Sequence, residues 1–176
     1  ADNEHAVFFL QNGDVYHTSD DTIFTKVLTV TFPPHAAGWG ICVVEQNILF
    51  AEYATESGTD TNVWHSDDGG LNWTAVLTKH TGPDEGEIRH FHSVNYFPED
   101  GGLYIITSGD TDTQINWWAS INLSSWYRMA GGHQMFRTLG IDQLPNNMLI
   151  WGSDSTTHHN IYAAQRTGYH TLSNTV

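Results

Sequence analysis

The sequence predicts an all-β fold made of four-stranded antiparallel repeats, and three observations carry that prediction. Aromatic residues are plentiful, with eight Phe, seven Trp and seven Tyr among 176 residues, and sixteen Gly supply tight turns. That pairing suits many short strands. Short apolar runs alternate with turn signals along the whole chain, and no useful stretch has helical periodicity. A third observation, an internal repeat, sets the register of the rest.

The clearest unit of that repeat is Trp64-His65-Ser66-Asp67-Asp68-Gly69-Gly70-Leu71-Asn72-Trp73-Thr74. An earlier copy, Tyr16-His17-Thr18-Ser19-Asp20-Asp21-Thr22-Ile23-Phe24-Thr25, aligns with it once one turn residue is deleted. A later copy, Trp118-Ala119-Ser120-Ile121-Asn122-Leu123-Ser124-Ser125-Trp126, has the same shortened spacing. The anchoring aromatics Phe24, Trp73 and Trp126 stand 49 and 53 residues apart. A period of ~40–50 residues suits the four-stranded blade of a β-propeller.

The elements follow in order. Ala6–Leu10 is the first strand-like run. Then come paired runs: 40–44 with 48–53, 92–97 with 103–107, and 137–141 with 148–151. Glu45-Gln46-Asn47, Pro98 to Gly102 and Pro145-Asn146-Asn147 divide each pair as turns. A last run, Asn160 to Arg166, keeps the strand without a copy of the repeated turn. The chain thus reads as a single domain, 1–176, with blades at 1–32, 33–80, 81–130 and 131–176. About three and a half to four blades are present, as a partial ring or part of a larger one. A closed four-bladed ring is the other arrangement.

The turn itself has a local physical logic. Ser66 and Asp68 carry short oxygen-bearing side chains able to bond backbone N–H groups of their own turn. Gly70 permits a left-handed conformation, and Trp73 tucks its ring between neighbouring sheets. Ser66-Asp67-Asp68-Gly69-Gly70-Leu71-Asn72-Trp73 fits the Asp-box (BNR) pattern Ser/Thr-x-Asp-x-Gly-x-x-Trp in full. The chain therefore resembles the sialidase-like β-propeller superfamily. Thr18, Asp20, Phe24 and Ser120, Asn122, Trp126 mark degenerate copies without the Gly. The superfamily holds sialidases, other glycosidases, polysaccharide lyases and non-catalytic proteins, so the resemblance implies the fold more sharply than the function. It also implies six or seven blades, with further copies or another segment completing the ring, and an extracellular, cell-surface or virion-surface setting.

Charge narrows the partners. Twenty Asp and Glu oppose six Lys and Arg, for a formal net charge of −14, which disfavours nucleic acid and anionic membrane surfaces. No stretch reaches ~18 apolar residues, and Ala1-Asp2-Asn3-Glu4 does not read as a secretory leader. Cys42, the single cysteine, sits among Ile and Val as a core residue.

The resemblance places function on the face opposite the box turns, where titratable groups collect. Arg89 and Arg137 are expected at matching entries to successive first strands, where two guanidinium forks could clasp a carboxylate of an acidic glycan. They are the candidate members of a sialidase-like arginine triad; the bland alternative pairs them with nearby acids. His90 and His92, at i and i+2 on a strand, point the same way. They suit a divalent metal ion with Asp154, Asp110 or His133, or base chemistry for β-elimination of a uronate, with a Tyr as acid. The bland alternative is a pair of lining histidines. His92, Asp110, Tyr53 and Glu52 are the catalytic candidates, although Glu52 and Tyr53, adjacent on a strand, should face opposite ways. Trp39 and Trp117 are candidate platforms for sugar rings, or simply blade core. The expected function is recognition or cleavage of an acidic glycan by a sialidase-like glycosidase or polysaccharide lyase, the alternative a non-catalytic binding or structural propeller such as an adhesin.

Overall fold

The computed structural model describes residues 5–35, 37–155, 157, 159–168 and 171–173. These residues form fifteen strands and two short 3-10 turns, Pro98–Asp100 and Gln134–Phe136. No helix is long and apolar enough to cross a membrane.

The strands assemble into four sheets in which every neighbour in space is a neighbour in sequence. The first sheet has three strands: β1 (Ala6–Phe9), β2 (Asp14–Thr18) and β3 (Thr25–Thr29). The second has four: β4 (Ile41–Val44), β5 (Asn47–Ala51), β6 (Asp60–Ser66) and β7 (Thr74–His80). The third comprises β8 (His90–Phe97), β9 (Leu103–Gly109), β10 (Asn116–Ser120) and β11 (Tyr127–Gly131). The fourth comprises β12 (Ile141–Leu144), β13 (Met148–Gly152), β14 (Ile161–Arg166) and β15 (Leu172–Ser173). All pairings are antiparallel.

Each sheet buries a face against the next, because side chains alternate along a strand. On β9, Ile106 and Tyr104 join Leu49, Val63 and Leu77 of the second sheet. Leu103 and Ile105, one residue out of phase, join Leu149, Trp151 and Ala164 of the fourth. Phe50 of β5 likewise turns from that second-to-third core to Val15 and Val30 of the first sheet. The third sheet is thus covered on both sides, and every residue of β9 and β10 is buried.

Three turns carry one hydrogen-bond pattern. In the β6–β7 turn, Gly70 N–H donates to Ser66 Oγ at 2.8 Å, and Leu71 and Asn72 N–H donate to Asp68 Oδ1 at 3.0 and 2.9 Å. In the β2–β3 turn, Asp21 donates to Thr18 Oγ1, and Thr22 and Ile23 donate to Asp20 Oδ1. In the β10–β11 turn, Leu123 donates to Ser120 Oγ, and Ser124 and Ser125 donate to Asn122 Oδ1. The shorter turns place Asp21 and Leu123 at φ near +60°, where the longer one uses Gly69 and Gly70. Gly70 is required twice over, since a Cβ there would also stand 2.3 Å from the Val7 side chain.

The aromatic that ends each of the two later turns packs on the preceding sheet. Trp73 joins the core shared with the first sheet, and Trp126 donates its indole N–H to Val76 O of β7 at 2.8 Å. Phe24, in the same position of the first sheet, is 50% exposed and meets Phe8, itself 44% exposed, edge to face.

The bonds at Asp68 hold its carboxyl at about 2, led by the backbone and side chain of Asn72. A lowered folded-state value contributes stability that is present above the ordinary 3.8 and lost as pH falls toward 2. Asn122 accepts the same two backbone bonds without a charge. Asp68→Asn is therefore expected to retain most stability and flatten the acid limb of urea denaturation, whereas Asp68→Ala is expected to cost about 2 kcal/mol. An unaltered acid limb in the Asn variant would refute the assignment.

Two sequence expectations need correction. The run 137–141 does not form a strand: β12 starts at Ile141. The 3-10 turn Gln134–Phe136 precedes it, and Thr138 Oγ1 donates to Gly140 O and Gly152 O, each at 2.8 Å. Those local bonds replace a ladder. Arg89 therefore stands one residue before its strand and Arg137 four residues before, so they are not in matching register.

Candidate functional site

A polar cluster lies where the second, third and fourth sheets meet, at the strand ends opposite the three box turns. It draws Tyr53 from just after β5, His90 and His92 from the start of β8, Asp110 from just after β9, Arg137 from before β12 and Asp154 from just after β13. Consecutive sheets lay these connections side by side, so residues remote in sequence converge.

His92 occupies a bulge. His90 pairs with Gly109 and Phe91 with Ser108, but the next partner, Thr107, pairs with Ser93. The bulge re-aims the ring while Phe91 stays in the core. His92 Nδ1 lies 3.2 Å from Thr138 O. A carbonyl only accepts, so Nδ1 carries a proton. His92 Nε2 lies 3.0 Å from His90 Nε2, so the two rings share a hydrogen bond. Gly109 floors the ring: a Cβ there would stand 2.4 Å from His92 Cε1. Gly109→Ala is expected to displace His92 and cost roughly 1–3 kcal/mol by overpacking; urea titration together with the His92 ring NMR signals checks it, and unmoved signals would show that the ring has room.

Asp110 is the electrostatic centre. Its Oδ1 lies 3.7 Å from both His90 Nε2 and His92 Nε2 and 3.0 Å from Arg137 Nη2. His92, with the charges of His90 and Arg137, holds the carboxyl at about 2, so Asp110 is ionised at neutral pH. Arg137 Nε also faces Asp154 at 3.6 Å. One guanidinium therefore sits between two carboxylates. Burial, then the like charge of His92, pushes His90 down to about 4, leaving it a neutral imidazole near pH 7. Burial and then Asp110 push the Tyr53 phenol upward, which keeps it protonated.

Aromatic rings extend the cluster outward. Tyr53 stacks on His90 at 4.1 Å, His35 meets Tyr53 edge-on at 4.6 Å, and Trp39 stacks on His35 at 4.6 Å and 6°. A cavity of about 890 Å³ opens beside His35 and Tyr53. On the other flank, a groove of about 440 Å³ is lined by Asp110, Thr111, Asp112, Thr113, Gln134 and Arg137. Gln134 pins that groove by donating to Asp110 O at 3.0 Å and Asp112 Oδ1 at 3.1 Å.

Not every candidate joins. Arg89 reaches sideways to Thr55 O and Ser57 Oγ at 3.3 and 3.4 Å, although its charge is felt at Tyr53 and His90. Glu52 is corrected: it is fully buried and turns away from Tyr53 to accept from Trp64 Nε1 and Asn62 N–H at 3.1 and 3.0 Å. Trp117 is corrected too, being fully buried between the third and fourth sheets with its indole N–H on Phe136 O. It offers no platform. Trp39 is 38% exposed, with one face stacked on His35. Among the described residues the ligand atoms of His90, His92 and Asp110 come within 4.8 Å of one another, a spacing able to hold a divalent cation. Asp110 takes the place proposed for Asp154, which stands across Arg137. The sequence reading lacked Gly109 and Thr138, whose roles arise from cross-strand register.

No protein-family model matches the sequence, and no curated protein does. Among solved structures, the chain is similar to a candidate glycosidase of Bacteroides thetaiotaomicron, at 12% identity and a TM-score of 0.39, over 93% of this chain and 62% of that one. It is also similar to a candidate glycoside hydrolase of Parabacteroides distasonis, at 12% identity and a TM-score of 0.38, again over 93% and 62%. This chain spans less than two thirds of the length of those two structures.

Proposed function

We propose that this chain is part of a sialidase-like β-propeller that binds and cleaves an acidic glycan at the cluster around Asp110. The stacking of four-stranded meanders and the three like box turns support the propeller. Exposed Phe24, in the place where Trp73 and Trp126 each cover a preceding sheet, favours a further sheet there, from another segment or another copy.

The observation that carries the reaction is the stacked Tyr53–His90 pair beside the Arg137–Asp110 ion pair. A neutral imidazole, a protonated phenol and the Arg137 guanidinium are the parts a β-elimination of a uronate needs. His90 or His92 takes the proton on the carbon next to the carboxylate. The freed electron pair becomes a carbon–carbon double bond, and the departing glycosidic oxygen receives the phenol proton. Hydrolysis by two carboxylates fits less well, because Asp110 is held ionised and cannot be the acid partner. A second reading is a divalent cation on His90, His92 and Asp110, favoured by their mutual distances and by the Thr138 bond that orients His92.

Uronate-containing polysaccharides, each assayed with a chelator and with added zinc or manganese, test the reading. Ultraviolet absorbance from an unsaturated uronate product is expected. New reducing ends without that absorbance would indicate hydrolysis instead. Neither product, with no polymer retained by the protein, would overturn the proposal.

A further inference from the structure

A second polar cavity, of about 400 Å³, lies between the edge strand β7 and the strands β10 and β11. Leu77, Lys79, Glu85, Asn116, Trp126 and Arg128 line it, with Trp118 beneath. Two of the six Lys and Arg of a chain with net charge −14 therefore face one cavity. Among the described residues neither belongs to an ion pair. Lys79 Nζ sits 4.9 Å over the Trp118 ring, which steadies the ammonium without neutralising it.

Asn116 supplies an independent sign of a missing guest. It is 4% exposed, and its Oδ1 accepts from Arg128 Nε at 2.6 Å. That bond fixes the amide orientation, since Nε only donates. Among the described residues Asn116 Nδ2 is a buried donor with no acceptor, a costly arrangement unless something fills it. The same bond occupies Arg128 Nε and leaves the terminal nitrogens to act as a fork. Lys79, Arg128 and Asn116 thus present donors, and Glu85 is the acid at the rim.

We propose that this cavity is a binding site for an oxyanion, a carboxylate or a sulfate, held by Lys79, Arg128 and Asn116 Nδ2. The cavity shares Thr113 with the groove beside Asp110, but its donors come from other residues and the inference does not depend on any reaction at Asp110. Its ligand chemistry is that of a uronic acid, of a sulfate ester or of the free anion.

Isothermal titration of the whole chain with glucuronate, inorganic sulfate and glucose tests it. Saturable binding of glucuronate or sulfate, but not of glucose, is expected. Lys79→Gln and Arg128→Ala should each weaken it about tenfold, the loss of one charge-assisted contact. Glu85→Gln should tighten it. Stronger binding of glucuronate assigns a sugar-borne carboxylate, and stronger binding of sulfate assigns a sulfate group. Absence of anion binding, equal binding of glucose, or indifference to both Lys79→Gln and Arg128→Ala overturns the proposal. Lys79→Gln leaves the Arg128–Asn116 bond in place, so a folding defect in the Arg128 variant does not decide the result.

Discussion

Arg137→Ala is expected to lower turnover of a uronate polymer by roughly 10²–10⁴-fold, the span for losing a positioned charge or proton-transfer partner. The side chain holds Asp110 at 3.0 Å and faces Asp154 at 3.6 Å. Removing it leaves two carboxylates facing each other without the cation that lies between them. Like charges then favour protonation of one, so the Asp110 carboxyl should rise from about 2. The histidines feel this next. Arg137 opposes protonation of His90 whereas Asp110 favours it, so deleting the cation should raise His90 toward its ordinary value. The acid limb of the pH–rate profile should accordingly move to higher pH. A merely structural role would lower activity at all pH values without moving that limb. Arg137→Lys, which keeps the charge and loses the fork, should recover the profile's shape better than its rate. An unchanged rate in the Ala variant would remove Arg137 from the site.

That cluster was partly legible in the sequence, and the reasons differ residue by residue. His90 and His92 were legible because i and i+2 share a face of any strand, and the bulge at His92 did not undo it. The three like turns were legible because their bonds run within a few residues, as from Ser66 and Asp68 to Gly70, Leu71 and Asn72. Their alignment fixed which connections lie at the opposite strand ends. Trp117 was not legible. Trp117 and Trp118 alternate faces, but both faces of the third sheet are covered, so neither parity leads to solvent. The register of Arg137 was hidden by the 3-10 turn and the Thr138 bonds, which leave no hydrophobic signature. The contact between Gly109 and His92 depends on cross-strand pairing, which no local pattern encodes. The choice of Asp110 over Asp154 near the histidines is likewise settled by which loop leans over β8.

Glu52→Ala is expected to destabilise the protein by about 2–5 kcal/mol, since each buried donor left unsatisfied costs ~1–3 kcal/mol. Glu52 has no exposed surface. Its Oε1 accepts from the Trp64 indole at 3.1 Å, and its Oε2 accepts from Asn62 N–H at 3.0 Å and Asn62 Nδ2 at 3.5 Å. The backbone of Thr31, just past β3, bonds it as well. One carboxylate therefore fastens the end of the first sheet to β6 of the second, directly behind Tyr53. Alanine would leave the Asn62 and Trp64 donors buried and unpaired.

Burial raises the Glu52 carboxyl above the ordinary 4.5, more than its hydrogen bonds lower it. The folded state then binds the proton more tightly than the unfolded chain. Its stability contribution is complete below 4.5 and declines as pH rises through the raised folded value. Glu52→Gln, neutral at every pH, removes that decline and still accepts through its amide oxygen. Urea denaturation across this range should show the Gln variant closing on the wild type as pH rises, while the Ala variant stays low throughout. Tyr53 stacking on His90 provides a second readout: loss of the Glu52 anchor should loosen the Tyr53 ring and change the His90 NMR signals. An Ala variant as stable as the wild type would mean that the network at Glu52 does not hold the two sheets together.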